Sequence, residues 1–481
     1  MKNLYRFISV LAVVASVVSA NAQNEGMTLS YLKMMPNSGL FNPGERVNYN
    51  AYFGLAVSNI SWSSYNSAVE LEDMFRINNG VMEAITLNKF LDNLSEKDNR
   101  LNANTTVDIF NVGFRVKSLF VSLDCRVNFD LSYGFSKDFL GFFVRGNGYY
   151  SGIDNMANMD SDLDGLVYNE IGIGVQYDIN KKLTVGVRPK LLAGILNIDT
   201  KSAKANIYTD PENYNLIAHS VDFEVNTSSI FKKKVYCLDD VSTLFDDFDM
   251  SSSLEFTKNI GFGIDLGASY KLNDHVGFGA SVLDLGFISW KGNMKLDNHI
   301  NNPDTLQAVF TNLDDVLNMD VDFGSLLDDV INNVFGNDSL SEGDDYITFL
   351  NSRFVLNGYY EINNMARFTG TAQLIAKYKM MYPSFTVAYS GEFFKFLNVT
   401  TNFTYSSLIG SAVGLGLGFH AGAFNFYAVT DNIFVTKSIF VNSSDSMLTE
   451  AMLSTTSFRA GIVFSIGQYQ RNKAVKIEEE L

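Results

Sequence analysis

Nine charged side chains of both signs punctuate the chain between residues 115 and 271: Arg115, Asp124, Arg126, Asp130, Glu170, Arg188, Lys190, Asp265 and Lys271. Acids and bases gathered in one interior can pair with each other or hold a passing solute. Pairing is the commoner role, because buried polar groups must be satisfied. Covalent or acid–base catalysis would need a nucleophile beside a base, or a histidine poised near neutral pH. His219, His275, His299 and His420 are scattered singly, and Ser229-Ile-Phe-Lys232 is a lone S-x-x-K in a loop. No enzyme and no cofactor is expected. Asp160, Asp162 and Asp164, followed by Gly165, have the first half of a calcium loop, but position twelve is Ile171 where a bidentate Glu belongs. An acidic turn is the plainer reading of that segment, and no other metal set is present. A net charge of -17 excludes nucleic acid as a general partner.

The charged positions fall on a two-residue rhythm. Val121, Leu123, Cys125, Val127, Phe129 and Leu131 alternate with Ser122, Asp124, Arg126, Asn128, Asp130 and Ser132. A tilted strand crosses a bilayer in about 9–11 residues, with apolar side chains toward lipid and polar ones toward a wet interior. This run is long enough and its two faces contrast enough for that. Repeating the test along the chain predicts an all-β fold: a transmembrane antiparallel β-barrel of about 14 strands, the first near Val47–Ile60 and the last near Thr455–Gly467. Parity supports the count. A two-residue turn at Lys117-Ser118 pairs Phe114 with Val121, and a three-residue turn at Asn180–Lys182 pairs Tyr177 with Val185, so both partners face lipid each time. Between Val282 and Leu285 the alternation slips, which predicts a bulge or a membrane boundary.

Lys2 and Arg6, an apolar run from Ile8 to Val18 and Ala20-Asn21-Ala22 read as a signal peptide over 1–22. Residues 23–46 are then a periplasmic or lumen-entering segment, 47–467 the barrel and 468–481 a periplasmic tail. The expected location is the Gram-negative cell outer membrane, with outer-membrane lipid as the surrounding partner. Long connections fall outside, and two carry the acid: Asn197–Thr257 is net -6 and Lys291–Asp345 net -10, which together account for -16 of the -17. Helical periodicity marks Leu306–Leu317, Phe323–Val334 and Ala84–Leu94 as short amphipathic helices packed over the mouth. Cys125 is expected to face lipid and Cys237 to lie in an outer loop, so no disulfide is expected. Glycines recur on the lumen face, at Gly172, Gly174, Gly261, Gly263, Gly267, Gly277, Gly279, Gly414, Gly416 and Gly418. They either make room for a plug or solute or permit barrel curvature.

Leu40-Phe-Asn42-Pro43 resembles the N-terminal Asn-Pro signature of FadL-like barrels, related to the long-chain fatty-acid transporter, with Gly44 where that family usually has Ala. Ser281 to Trp290, with Asp284 and Gly286, and Val413–Phe419 through Thr430-Asp431-Asn432, resemble a Bacteroidota outer-membrane β-barrel family of unknown function. The resemblance implies a barrel whose N-terminal segment enters the lumen, and a transporter or channel for a hydrophobic or small solute. The alternative is a non-transporting surface scaffold, secretion-associated or adhesin-like, acting through the acidic outer loops. Asp304-Thr305-Leu306, Asp338-Ser339-Leu340 and Asp445-Ser446-Met447 resemble the short O-glycosylation sequon of those bacteria, which implies modification at Thr305, Ser339 and Ser446.

Overall fold

In a computed structural model of the 481-residue chain, residues 27–66, 75–84, 91–230, 258–306, 340–433 and 455–468 are described, apart from short gaps at 33–34, 36–38, 56–57, 79–80, 97–98, 292, 301–303, 364–365, 378–379, 394–395 and 408–409. The principal strands, in chain order, are β1 Tyr49–Leu55, β2 Ile60–Asn66, β3 Asn99–Val116, β4 Leu119–Phe135, β5 Ser161–Asp178, β6 Leu183–Thr209, β7 Leu216–Ser229, β8 Ile260–Lys271, β9 Val276–Trp290 and β10 Asn293–Ile300. Then follow β11 Tyr346–Phe349, β12 Arg353–Asn363, β13 Ala366–Lys377, β14 Met380–Phe393, β15 Leu397–Ser406, β16 Gly410–Ala421, β17 Phe424–Thr430 and β18 Thr455–Gln468. All named pairings are antiparallel, and β1 and β2 each pair with β3 on one side and β18 on the other, which closes a 14-strand barrel. In that count β1–β2 and β11–β12 each make one wall strand. Closure leaves no edge to be satisfied in lipid. No helix among the described residues is long and apolar enough to cross a membrane.

The alternation sets the register. Phe114 faces Val121, Val112 faces Leu123 and Tyr177 faces Val185, all outward. The outer wall is therefore apolar yet open: Leu356 and Val387 are each 63% exposed and Phe385 62%. A belt of that composition is a lipid surface rather than a water surface.

Three bulges re-aim side chains. In β9, Leu285 faces Ile264 and Val282 faces Leu266, so Leu283 and Asp284 both oppose Asp265, and Asp284 takes a left-handed φ of 58°. The slip read between Val282 and Leu285 is this bulge. In β3 the pairing steps from Asp108 to Phe110, and at the β5–β6 pair it shifts between Val167 and Tyr168. The first wall strand is also interrupted: Leu55 faces Phe110 and Ile60 faces Val107, so four residues of the first strand oppose two of β3. There Ser58 and Asn59 dip into the lumen, and both the Ser58 carbonyl and the Asn59 side chain accept from Tyr427 Oη.

The outer connections differ from the expected loops. The wall strand expected to end near Leu196 runs to Thr209 as β6 and turns into β7, and β10 adds to the far edge of β7. Alternation continues there: Ala203, Ala205 and Ile207 are buried between exposed or half-buried Lys204 and Asn206. Ala205 and Ile207 close a small apolar core with Leu91, Phe139, Phe142, Tyr150 and Leu216. A helix at Lys137–Arg145 caps it, started by Ser136, whose Oγ accepts from Phe139 N at 3.3 Å. Burial lifts the Tyr150 hydroxyl above its usual range, and the Asp138 carboxylate adds to the lift. Of the three expected amphipathic helices, 91–93 is helical within 84–94, whereas Leu306 lies in a strand, Asp304–Leu306, opposite Leu216. Residues 307–339, Cys237, the expected signal peptide over 1–22 and the tail beyond Gln468 lie outside the described residues. Cys125 keeps outward parity but is only 3% exposed, because its neighbours across the ladder, Phe110 and Ile171, cover so small a side chain.

Leu356→Arg, near the middle of β12, is expected to cost about 2–4 kcal/mol of bilayer folding stability. Urea titration of folding into lipid vesicles, followed by tryptophan fluorescence, measures it; a cost near zero would place the belt outside the membrane.

Candidate functional site in the lumen

Inward side chains of β4, β5, β6 and β8 meet around Arg188. Its Nε donates to Asp124 Oδ1 at 3.0 Å, Nη1 to Asp265 Oδ2 at 3.0 Å and Nη2 to Glu170 Oε1 at 2.6 Å, with a further contact to Asp124 Oδ2. The guanidinium fits because β5 presents Gly172 there, where a Cβ would lie 2.5 Å from Arg188 Nε. Lys190 Nζ donates to Asp284 at 2.5 Å and lies 2.8 Å from Asp265, and Asp284 accepts from Arg353 at 2.6 Å. Arg126 closes the other end, 3.1 Å from Asp124 and 3.4 Å from Asp108. Charges this deep persist only when each is paired and hydrogen-bonded.

Six of the nine charged residues identified in the sequence therefore meet in one cluster: Asp124, Arg126, Glu170, Arg188, Lys190 and Asp265. Arg115 lies nearer the short-turn rim, donating to the Val47 carbonyl at 2.8 Å and standing 3.4 Å from Asp178. Asp130 pairs with Lys377 at 2.8 Å toward the long-loop rim. Lys271 stays apart at the end of β8, 3.2 Å from Asp274. Asp108, Asp284 and Arg353 belong to the cluster but were not in the sequence set. The bulges conceal Asp108 and Asp284, since each reverses the parity that would mark them as inward. Arg353 and Arg459 obey the plain alternation of β12 and β18, which suffices to find them.

The N-terminal segment crosses this lumen. On one wall, Thr28 donates through its backbone N to Asp431 at 2.9 Å and receives Asn402 Nδ2 at 2.8 Å, and Ser390 Oγ donates to the Tyr31 carbonyl at 2.7 Å. On the other, a tight turn at Asn42–Glu45 is docked by side chains of the wall. Gln176 Nε2 donates to the Pro43 carbonyl at 3.0 Å, Ser269 Oγ to Gly44 O at 2.7 Å and Ser281 Oγ to Phe41 O at 3.0 Å. Asn42 binds Ala268 O at 3.2 Å. Between these anchors Met27, Leu29, Tyr31, Leu32, Met35 and Phe41 bury an apolar cluster against Tyr427 and Val429. The lumen glycines divide accordingly. A Cβ on Gly267 would overlap Asn42 and one on Gly418 would meet Met35 Cε at 2.8 Å, so these make room for the segment. Burial pushes the Glu45 carboxyl up, with Arg367 opposing.

On the Leu40–Phe41 side of the segment a cavity of about 100 Å³ remains, lined among others by Asn59, Asn104, Arg126, Asn128, Arg353 and Arg459.

Asp160–Asp164 forms no calcium loop. Asp162 and Asp164 lie within β5, Asp162 is 2.9 Å from Arg100 and Asp164 accepts from Thr200 N at 3.1 Å. The strand's extended backbone cannot wrap a cation, and no metal-binding group occurs among the described residues. Thr305 lies in the short strand against β7, while Ser339 and Ser446 lie outside the described residues.

Residues 43–431 match the family of unknown function DUF5723. The chain belongs to that family. Its matched span runs from the docked Pro43 turn to Asp431, the anchor of Thr28. No curated protein compared with it matches. Among solved structures it is similar to the Ralstonia pickettii toluene transporter TbuX, at 8% identity and a TM-score of 0.43 over 90% of this chain and 94% of that one. It is also similar to the Pseudomonas putida toluene transporter TodX (10%, 0.40, 91% and 95%) and a Pseudomonas aeruginosa FadL homologue (11%, 0.39, 93% and 97%). Likeness at this level assigns neither substrate nor site.

Arg188→Met is expected to cost about 3–5 kcal/mol, because it strands Asp124, Glu170 and Asp265 without their common partner. Adding Asp124→Asn should return part of that loss, and a double-mutant cycle by urea titration measures the coupling; additive losses would contradict a shared network.

Proposed function

We propose that this chain is an outer-membrane transporter that passes a small solute through a lumen gated by its own N-terminal segment. The lipid-type outer belt and the closed ladder support the membrane. The apolar run before Ala20-Asn21-Ala22 supports export by a signal peptide, with the short turns periplasmic and the long connections outside. The single observation that carries the transport reading is how the plug is held. Among its described residues it adds no strand to the wall and is attached by side-chain hydrogen bonds, such as Thr28 to Asp431 and Gln176 to Pro43, which can be exchanged without breaking the barrel. Each such bond is worth about 0.5–1.5 kcal/mol net, a scale a bound solute can match. A purely structural filling would gain more by joining the ladder.

The test is to lock the plug. In a Cys125→Ser, Cys237→Ser background, Thr28→Cys and Asp431→Cys are joined with a short reducible bis-methanethiosulfonate reagent, and KCl conductance is recorded in planar bilayers. Conductance should fall about tenfold on joining and return on reduction. A barrel that passes neither KCl, lactate nor toluene before or after joining would contradict transport and leave the surface-scaffold reading.

A further inference from the structure

The polar atoms of the cavity are unbalanced. Arg126 Nε on its wall faces Asp108 at 3.4 Å. Asn104 Nδ2, Asn128 Nδ2 and Arg459 Nε line the cavity, are shielded from bulk water and have no hydrogen-bonding partner. All three are donors. Buried donors of this kind each cost about 1–3 kcal/mol unless an acceptor meets them.

Arg459 differs from the other cations of the lumen. Arg126, Arg188, Lys190 and Arg353 each have a carboxylate within 4.0 Å, whereas Arg459 makes no ion pair with any described residue. Among the described residues it lies over the face of Phe41, with the guanidinium carbon 5.3 Å from the ring centre. Four acids line the cavity and each has a partner: Asp130 is 2.8 Å from Lys377, Glu170 2.6 Å from Arg188, Asp284 2.6 Å from Arg353, and Asp431 accepts from Thr28 N at 2.9 Å and Ser457 Oγ at 3.3 Å. Asp108, behind this lining, accepts from Asn59 at 3.3 Å with Arg126 beside it, and its Oδ2 makes no hydrogen bond. A guanidinium over an aromatic face keeps its in-plane N–H groups free for a planar oxyanion.

We propose that this cavity binds the oxyanion group, carboxylate or phosphate, of a small hydrophilic solute, with Arg459 as its charged partner and the Asn104 and Asn128 amides as secondary donors. This names the substrate class of the transport reading above and rests on it. About 100 Å³ holds a head group, not an extended acyl chain. Phe41 ties the site to the gate: it carries Arg459 on its ring while its carbonyl is held by Ser281.

Calorimetry on the purified full-length barrel tests the proposal with lactate, inorganic phosphate, neutral glycerol and toluene. Lactate or phosphate should bind, and which of the two binds tells carboxylate from phosphate. Arg459→Gln should raise its Kd about tenfold or more, while Arg459→Lys, which keeps the charge, should lose less. Heat-modifiable electrophoretic mobility confirms that both variants fold. The proposal is overturned if neither anion binds, if glycerol or toluene binds as well as the anions, or if Arg459→Gln leaves anion binding unchanged. Binding at equilibrium needs no flux. A barrel that conducts but lacks Arg459-dependent binding loses the anion site and keeps transport, while a sealed barrel that still binds lactate does the reverse.

Discussion

The interior is organised by one constraint: a guanidinium taken out of water must be surrounded by acceptors. Arg188 satisfies it with three carboxylates from three other strands, so four strands must hold one register for the contact to exist. A slip of one residue in β4, β5 or β8 would turn its acid into lipid. The lipid belt and the ionic cluster thus enforce each other from the two faces of the same strands.

The cluster also fixes where the lumen is solid and where it is open. From Asp108 in β3 to Arg353 in β12 the wall fills its own interior with ion pairs. Below it, missing side chains at positions such as Gly267 and Gly418 leave the channel in which the N-terminal segment lies. The cavity occupies the seam between these two fillings, bordered by Arg126 and Arg353 of the cluster and Phe41 of the segment. Solute binding, plug position and the charged wall therefore share side chains.

Much of this was legible from alternation. The strand count, the turn registers and six members of the cluster follow from period two and turn length, because a barrel wall leaves each residue only two directions. Bulges limit such reading. Asp284 faces inward because one extra residue shifts the phase, and the slip was visible while its consequence for the side chain was not. Asp108 is hidden by a bulge that the apolar residues around it do not betray. The outer β6–β7 hairpin falls in the long connection Asn197–Thr257, where the count of wall strands predicts only a loop, yet a hairpin outside the membrane is still a strand. The plug contacts were beyond reach for a different reason. Asn42 and Gly267 are 225 residues apart, and only the closed barrel brings them together.

Hydrogen exchange tests most directly whether the segment is a gate held by exchangeable contacts. In the purified barrel, backbone amides of residues 27–46 should exchange orders of magnitude faster than those of β13 to β16, whose ladder bonds open only with the barrel. Protection of the segment equal to that of the wall would contradict a movable plug and make it a permanent part of the fold.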